Sequence, residues 1–123
     1  MNKILLTVTL IATLIFSAAT CVAKDVWVDR WNSEGIDIYV MDDTIKGNDS
    51  RNYFSVSVKQ VRNGRLDKVV VLKFDKYGGG MWRYETSTMA GTHTTVVIPR
   101  NKIFEFCMER LGWHYSIDGS YYK

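Results

Sequence analysis

The chain has 123 residues, with 16 Lys and Arg against 13 Asp and Glu, a formal charge of +3 at neutral pH. That length suits one domain rather than two. The near-balance of charge gives no support to nucleic-acid binding, which would show as a concentrated basic face, and no polybasic run is present to seat the chain on an anionic membrane.

Residues 1–23 read as a secretory leader. Lys3 gives a positive start, residues 4–16 (ILLTVTLIATLIF) an apolar run, and residues 17–23 (SAATCVA) a small-residue end. The apolar run falls short of the roughly 20 residues of a membrane span, so no integral span is expected after processing. Cys21 and Ala23 put small side chains at the two positions a signal peptidase reads. Cleavage is therefore expected after Ala23, with a cut after Ala19 as the alternative and an uncleaved anchor helix as the competing reading. Lipid modification of Cys21 fits poorly with Thr20 before it and Ala18 three residues back. The expected product is a single domain, residues 24–123, of formal charge +2 once Lys3 is removed. It would be secreted or held in the periplasm or cell envelope.

The remaining chain reads mostly as strand. Residues 26–31 (VWVDRW) alternate weakly and are rich in strand formers, and NSEG at 32–35 is a turn. Residues 36–41 (IDIYVM) alternate cleanly, with Ile36, Ile38 and Val40 on one face and Asp37, Tyr39 and Met41 on the other. The polar stretch 42–52 (DDTIKGNDSRN) reads as a loop. Its Asn48-Asp49-Ser50 triplet matches a glycosylation sequon, a pattern frequent by chance.

Residues 53–62 (YFSVSVKQVR) form the clearest strand, with Phe54, Val56 and Val58 inward and Ser55, Ser57 and Lys59 outward. Asn63-Gly64 is a strong hairpin signal, and residues 65–75 (RLDKVVVLKFD) are the return strand. Its run Val69, Val70, Val71, Leu72 is apolar on both faces, which suits a strand covered on each side or an interface. YGGG at 77–80 breaks the chain. Residues 81–87 (MWRYETS) are a further strand, with Trp82 and Tyr84 on one face and Arg83 and Glu85 on the other. A loop at 88–93 (TMAGTH) and a short strand at 94–98 (TTVVI) follow.

The stretch 99–112 (PRNKIFEFCMERLG) is the one convincing helix beyond the leader. Ile103, Cys107 and Leu111 share a stripe, flanked by Phe104 and Met108, while Lys102, Glu105 and Glu109 lie opposite. Phe106 is expected at the edge of the contact or on a second surface. Pro99 suits the start and Gly112 the left-handed position past the end. So short a helix needs tertiary packing to persist. WHYSI at 113–117 reads as a last strand and Asp118-Gly119 as a turn. Tyr121 and Tyr122 near the end imply a terminus tied to the fold. The expected fold is α+β: an antiparallel sheet of about six strands with one late amphipathic helix packed on one face.

Order and spacing along this layout carry a resemblance. A leader precedes the tryptophan-bearing VWVDRW. A strand running into YVMDDTI (39–45) follows, then the VSVK hairpin strand (56–59), then a late cysteine-bearing helix, IFEFCMERL (103–111). The layout resembles small exported bacterial envelope domains of the surface-adhesin protein E type. The resemblance implies an antiparallel sheet, a C-terminal helix tethered by a disulfide, and binding to host or matrix proteins. This chain departs from that pattern by lacking a second mature cysteine for Cys107 and by continuing past the helix with an aromatic segment.

Chemistry-bearing motifs are sparse. Gly78, Gly79 and Gly80 have no following Lys-Ser/Thr for a phosphate loop. His93 and His114 are the two histidines, fewer than the three or four protein ligands of a zinc site. Cys107 and His114 are the residue types of a thiol nucleophile and its base, but the thiol is expected to face the sheet. Its plainer reading is a small buried hydrophobe; pairing between two chains, or with Cys21 under an earlier cut, are the other options. Asp42-Asp43 reads as turn chemistry, and Glu105 with Glu109 as a solvated helix face. No residue is assigned to catalysis, to a cofactor or to a metal.

Aromatics are the functional hint: Trp27, Trp31, Tyr39, Trp82, Tyr84, Trp113, Tyr115, Tyr121 and Tyr122 divide between core and a recognition surface. The expected role is a non-enzymatic, adhesin-like binding domain whose partner is an extracellular or periplasmic protein or glycan. A small secreted hydrolase and a secreted enzyme inhibitor are the alternatives. Converging titratable groups in a pocket would favour the hydrolase.

Overall fold

A computed structural model describes residues 25–88 and 94–123. The expected leader and most of the expected loop 88–93 lie outside the described residues, and with them Cys21 and His93. The elements in order are β1 (Asp25–Trp31), β2 (Ile36–Met41), β3 (Lys46–Gly47), β4 (Tyr53–Arg62), β5 (Arg65–Lys76), β6 (Trp82–Thr86), β7 (Thr95–Val96), α1 (Lys102–Leu111), β8 (Ile117–Asp118) and β9 (Tyr121–Tyr122). One antiparallel sheet runs β1-β2-β4-β5-β6-β7, and β3 also pairs with β4; β8 and β9 form a separate hairpin. The fold is the expected α+β arrangement, a mostly antiparallel sheet with one late helix.

Alternation decides which residues the helix covers. Ile36, Ile38, Val40, Phe54, Val56, Val58, Val70, Leu72, Phe74 and Trp82 are buried on the inner face of the sheet. From α1, Ile103, Phe104, Cys107 and Met108 are buried against them, with Leu111 and Phe106 packed at the margin. Phe54 and Phe74 sit directly opposite in register and stack with centroids 4.6 Å apart. Phe104 enters above them, with its ring centred 5.9 Å from Phe54, 5.7 Å from Phe74 and 5.4 Å from Trp82. These contacts supply the tertiary packing the short helix lacks on its own.

The helix ends are set by two side-chain and backbone devices. Asn101 is the N-cap, its Oδ1 accepting from the Phe104 N–H at 2.9 Å. Pro99 therefore lies two residues before the cap rather than inside the first turn, because Asn101 offers the orphan N–H an acceptor. At the far end Gly112 takes φ 71°, and the N–H groups of Gly112 and Trp113 reach the carbonyls of Glu109 and Met108. This is a Schellman turn.

Three expectations are corrected at the level of pairing. Within 42–52, β3 forms where a loop was expected, opposite Ser55 and Phe54 of β4. A 3₁₀ turn, Asp42–Thr44, bridges from β2, and Thr44 Oγ1 accepts from the Ser57 N–H at 2.8 Å, in place of a ladder partner. Gly47 is required here by space: a Cβ would lie 2.5 Å from the Trp113 ring. In the segment 94–98, strand pairing holds only at Thr95 and Val96. The alternation of 113–117 is real, since Trp113 and Tyr115 pack inward while His114 and Ser116 are exposed. Among the described residues no neighbouring strand meets it before Ser116, which exchanges two backbone bonds with Lys123.

The C-terminus is tied down as the tyrosines imply. Tyr122 is fully buried, with its ring 4.3 Å from Phe104. Its hydroxyl donates to Glu105 and accepts from the Asn101 N–H.

Candidate functional site

The sheet has a second face, and no described element covers it. Pairing register gives its rows. One row runs Trp27, Tyr39, Lys59, Val69 across β1, β2, β4 and β5. The next runs Arg30, Asp37, Val61, Leu66. Val71 continues β5 on this side, opposite Ser57. Among these, Trp27 is 53% exposed, Leu66 56% and Val69 45%. The apolar run Val69–Leu72 is thus not covered on each side. Val70 and Leu72 enter the core, while Val69 and Val71 look out from the open face.

Two β-bulges build this face. The NSEG turn joins Trp31 to Ile36, and an unbroken ladder from that turn would set Trp27 opposite Val40, on the covered side. The register instead shifts between Trp27 and Asp29, leaving Val28 as the extra residue and turning Trp27 to face Tyr39. In β5 the register shifts between Gln60 and Val61 of its partner strand. Leu66 meets Val61 on the open side directly from the Asn63-Gly64 turn. Beyond it Asp67 is the extra residue, and Val69, which an unbroken ladder would set opposite Val58 on the covered side, meets Lys59 on the open one. Each bulge therefore exchanges neighbours across the sheet: Trp27 turns out while Val28 packs on the core, and Val69 turns out while Val70 is buried.

Polar contacts hold the aromatic end of the face. Trp27 Nε1 donates to Asp37 Oδ1 at 3.0 Å, and Arg30 donates to Asp37 Oδ2 at 2.8 Å. The Trp27 bond, reinforced by Arg30, holds the Asp37 carboxyl below the usual carboxylate range. Lys59 Nζ lies 2.6 Å from Asp25 Oδ2. A shallow groove of about 350 Å³ runs here, lined by Asp25, Tyr39, Lys59, Val61, Gly64 and Leu66.

The other candidate residues are placed elsewhere. Trp82 and Tyr122 are core, and Tyr84, Trp113 and Tyr115 pack against it. Trp31 is 37% exposed at the end of β1, and Tyr121 lies half-buried on the terminal hairpin. His114 is exposed, while Cys107 is fully buried; burial, aided by the Asp42 carboxylate, pushes its thiol up to about 12. A nucleophile–base pair between them has no geometric basis. Asp42 lies 2.9 Å from Arg110 Nε at the end of α1, so the Asp42-Asp43 turn also anchors the helix. Among the described residues no group of three or more His, Cys, Asp or Glu is placed to hold a metal ion. No described helix is long and apolar enough to cross a membrane.

Glu105 corrects the expected solvated helix face. Its oxygens accept from Arg100 Nε and NH2 at 3.1 and 3.0 Å and from the Tyr122 hydroxyl. The Arg100 bonds first, then Tyr122, hold its carboxyl below the ordinary range. Burial and the Glu105 bond raise the Tyr122 phenol. This cluster is saturated by its own members and serves to pin the terminal hairpin to the helix.

Asp37 as a brace for Trp27, and Glu105 as a tyrosine anchor, were not legible in the chain. Both depend on register and packing between distant segments. The Asp37 brace could have been sought from the hairpin pairing of β1 with β2, but only if the bulge were placed. No protein-family model matches this chain, and no curated protein or solved structure matches it either.

Proposed function

We propose that this is an exported, non-enzymatic binding domain of the bacterial envelope or extracellular space, adhesin-like in its mode of action, and that the open face is its recognition surface. The observation that carries the reading is the pair of bulges that turn Trp27 and Val69 outward, onto the face that also exposes Leu66. An unbroken ladder from each turn would set Trp27 and Val69 on the covered face instead. Bulges that re-aim a side chain are features of working surfaces, and contiguous exposed apolar groups mark interaction sites. The leader pattern of residues 1–23 supports export. The saturated Arg100–Glu105–Tyr122 cluster weighs against the hydrolase alternative.

Immobilised mature protein, challenged with a periplasmic or extracellular extract, should retain a reproducible partner. The paired substitution Leu66→Asp with Val69→Asp should release it without unfolding the domain. Retention by the paired variant would overturn the assignment of the face. Intact-mass measurement of the exported protein should show a chain beginning at Lys24; a chain beginning at Met1 would overturn export by cleavage.

A further inference from the structure

We infer that the aromatic end of the open face is a carbohydrate-stacking site for a neutral, β-linked pyranose chain, with Trp27 as the platform and Tyr39 beside it. The inference rests on the binding-face reading and narrows it to a ligand class.

Three observations lead there. First, Trp27 is more than half exposed and yet fixed. Its only polar atom is held by Asp37, which Arg30 holds in turn. The indole presents a flat apolar ring in one orientation, so little freedom is lost when a ligand lies on it. Tyr39 stands directly opposite in the ladder and continues the platform.

Second, the charges around the platform are matched within the protein. Arg30 is paired with Asp37 and Lys59 with Asp25. Among the described residues, these two pairs leave no surplus charge of either sign beside the platform, which suits a neutral ligand and disfavours a polyanion.

Third, the groove that Tyr39 lines has a carboxylate and an ammonium in its wall, Asp25 and Lys59. Both side chains remain about one-third exposed, at 33% and 31%. A carboxylate accepts several hydrogen bonds and an ammonium donates three, so the pair retains capacity on both sides. Neighbouring sugar hydroxyls both donate and accept, and match such a pair. A pyranose with equatorial substituents also offers a flat C–H face to an aromatic ring. Its remaining ring edge would then fall along Tyr39, Val61 and Leu66.

Chitotetraose and cellotetraose are the probes. Amide and indole NMR shifts of the mature protein should move at Trp27, Tyr39 and Lys59 as either is added. Trp27→Ala should weaken binding by about tenfold or more, and Tyr39→Ala by a smaller factor. Trp27→Phe, which keeps a ring, should retain part of the affinity, and Trp31→Ala should leave it unchanged. A polyanionic glycan, heparin, should bind no better than the neutral probes. Three outcomes overturn the inference: silence with both neutral probes, binding that survives Trp27→Ala in a folded protein, or a clear preference for heparin. Silence with the sugars while the Leu66/Val69 variant still loses a captured protein would remove the stacking site and leave the binding face standing. Silence with the sugars and capture indifferent to that variant would remove both.

Discussion

The two faces of the sheet come from the same strands and are treated oppositely. The inner face gathers Phe54, Phe74 and Trp82 under Phe104, with those aromatics fully buried. The outer face carries Trp27, Leu66 and Val69 in water. Hydrophobicity alone does not separate the two sets, since each contains large apolar side chains. Register separates them, through two bulges that move Trp27 and Val69 across the sheet. A bulge costs ladder hydrogen bonds, and here each trades the side chain it turns outward for a neighbour, Val28 or Val70, turned toward the core. On the proposed reading, the inner face answers to folding and the outer face to a partner.

The contrast breaks most visibly at Phe104. Phe104→Ala removes the ring that five other aromatic rings surround. The expected loss is about 3–5 kcal/mol, a large part of the stability of a domain this size. Urea denaturation measures it. A loss as small as that of an outer-face substitution would dissolve the distinction.

The Glu105 cluster sharpens the comparison by pH. Glu105 titrates below its ordinary value in the folded protein. Its contribution is therefore complete above the ordinary carboxylate range and is lost as pH falls through the folded value. Tyr122 titrates above the ordinary phenol value of about 10. Its contribution is present below that value and is lost as pH rises through the folded one. Melting temperature against pH should show both limbs. Glu105→Gln should flatten the acidic limb and cost about 1.5–3 kcal/mol near neutrality, the range for hydrogen bonds to a charged group.

Gly47 tests the margin of the core. Gly47→Ala would place a methyl 2.5 Å from the Trp113 ring and 3.2 Å from Leu111. Overpacking of this kind costs about 1–3 kcal/mol. Adding Trp113→Ala should make the alanine nearly neutral in the double mutant, because the clash is then gone. Unfolding curves of the four cycle members check this.

The smallest effect belongs to the open face. Leu66→Ser with Val69→Ser should change stability by about 0.5 kcal/mol or less, as for surface positions without special contacts. A larger loss would mean that the face is covered and contributes to the fold.

Much of the fold was legible in the chain because most of its signals are local. Alternation in 36–41 and 53–62 matches β2 and β4 residue for residue. Asn63 and Gly64 take φ of 52° and 75°, the left-handed pair that their hairpin turn demands. Gly112 ends the helix as its position implies. The misses are non-local. β3 is held by β4 and not by its own two residues, Lys46 and Gly47, which have little strand propensity. The segment at 113–116 alternates like a strand but, among the described residues, has no strand to pair with. The site was the least legible part. Trp27 belongs to the open face only because Val28 is looped out, and no local signal in VWVDRW marks that residue.

The claim that the outer face is the recognition surface is tested most directly by amide-shift mapping of the mature protein, titrated with whatever partner the extract yields. Shifts should gather at Trp27, Tyr39, Lys59, Val61, Leu66, Val69 and Val71 and leave the helix unmoved. Shifts gathered instead on Lys102, Glu109 and the terminal hairpin, with the outer rows silent, would contradict the account.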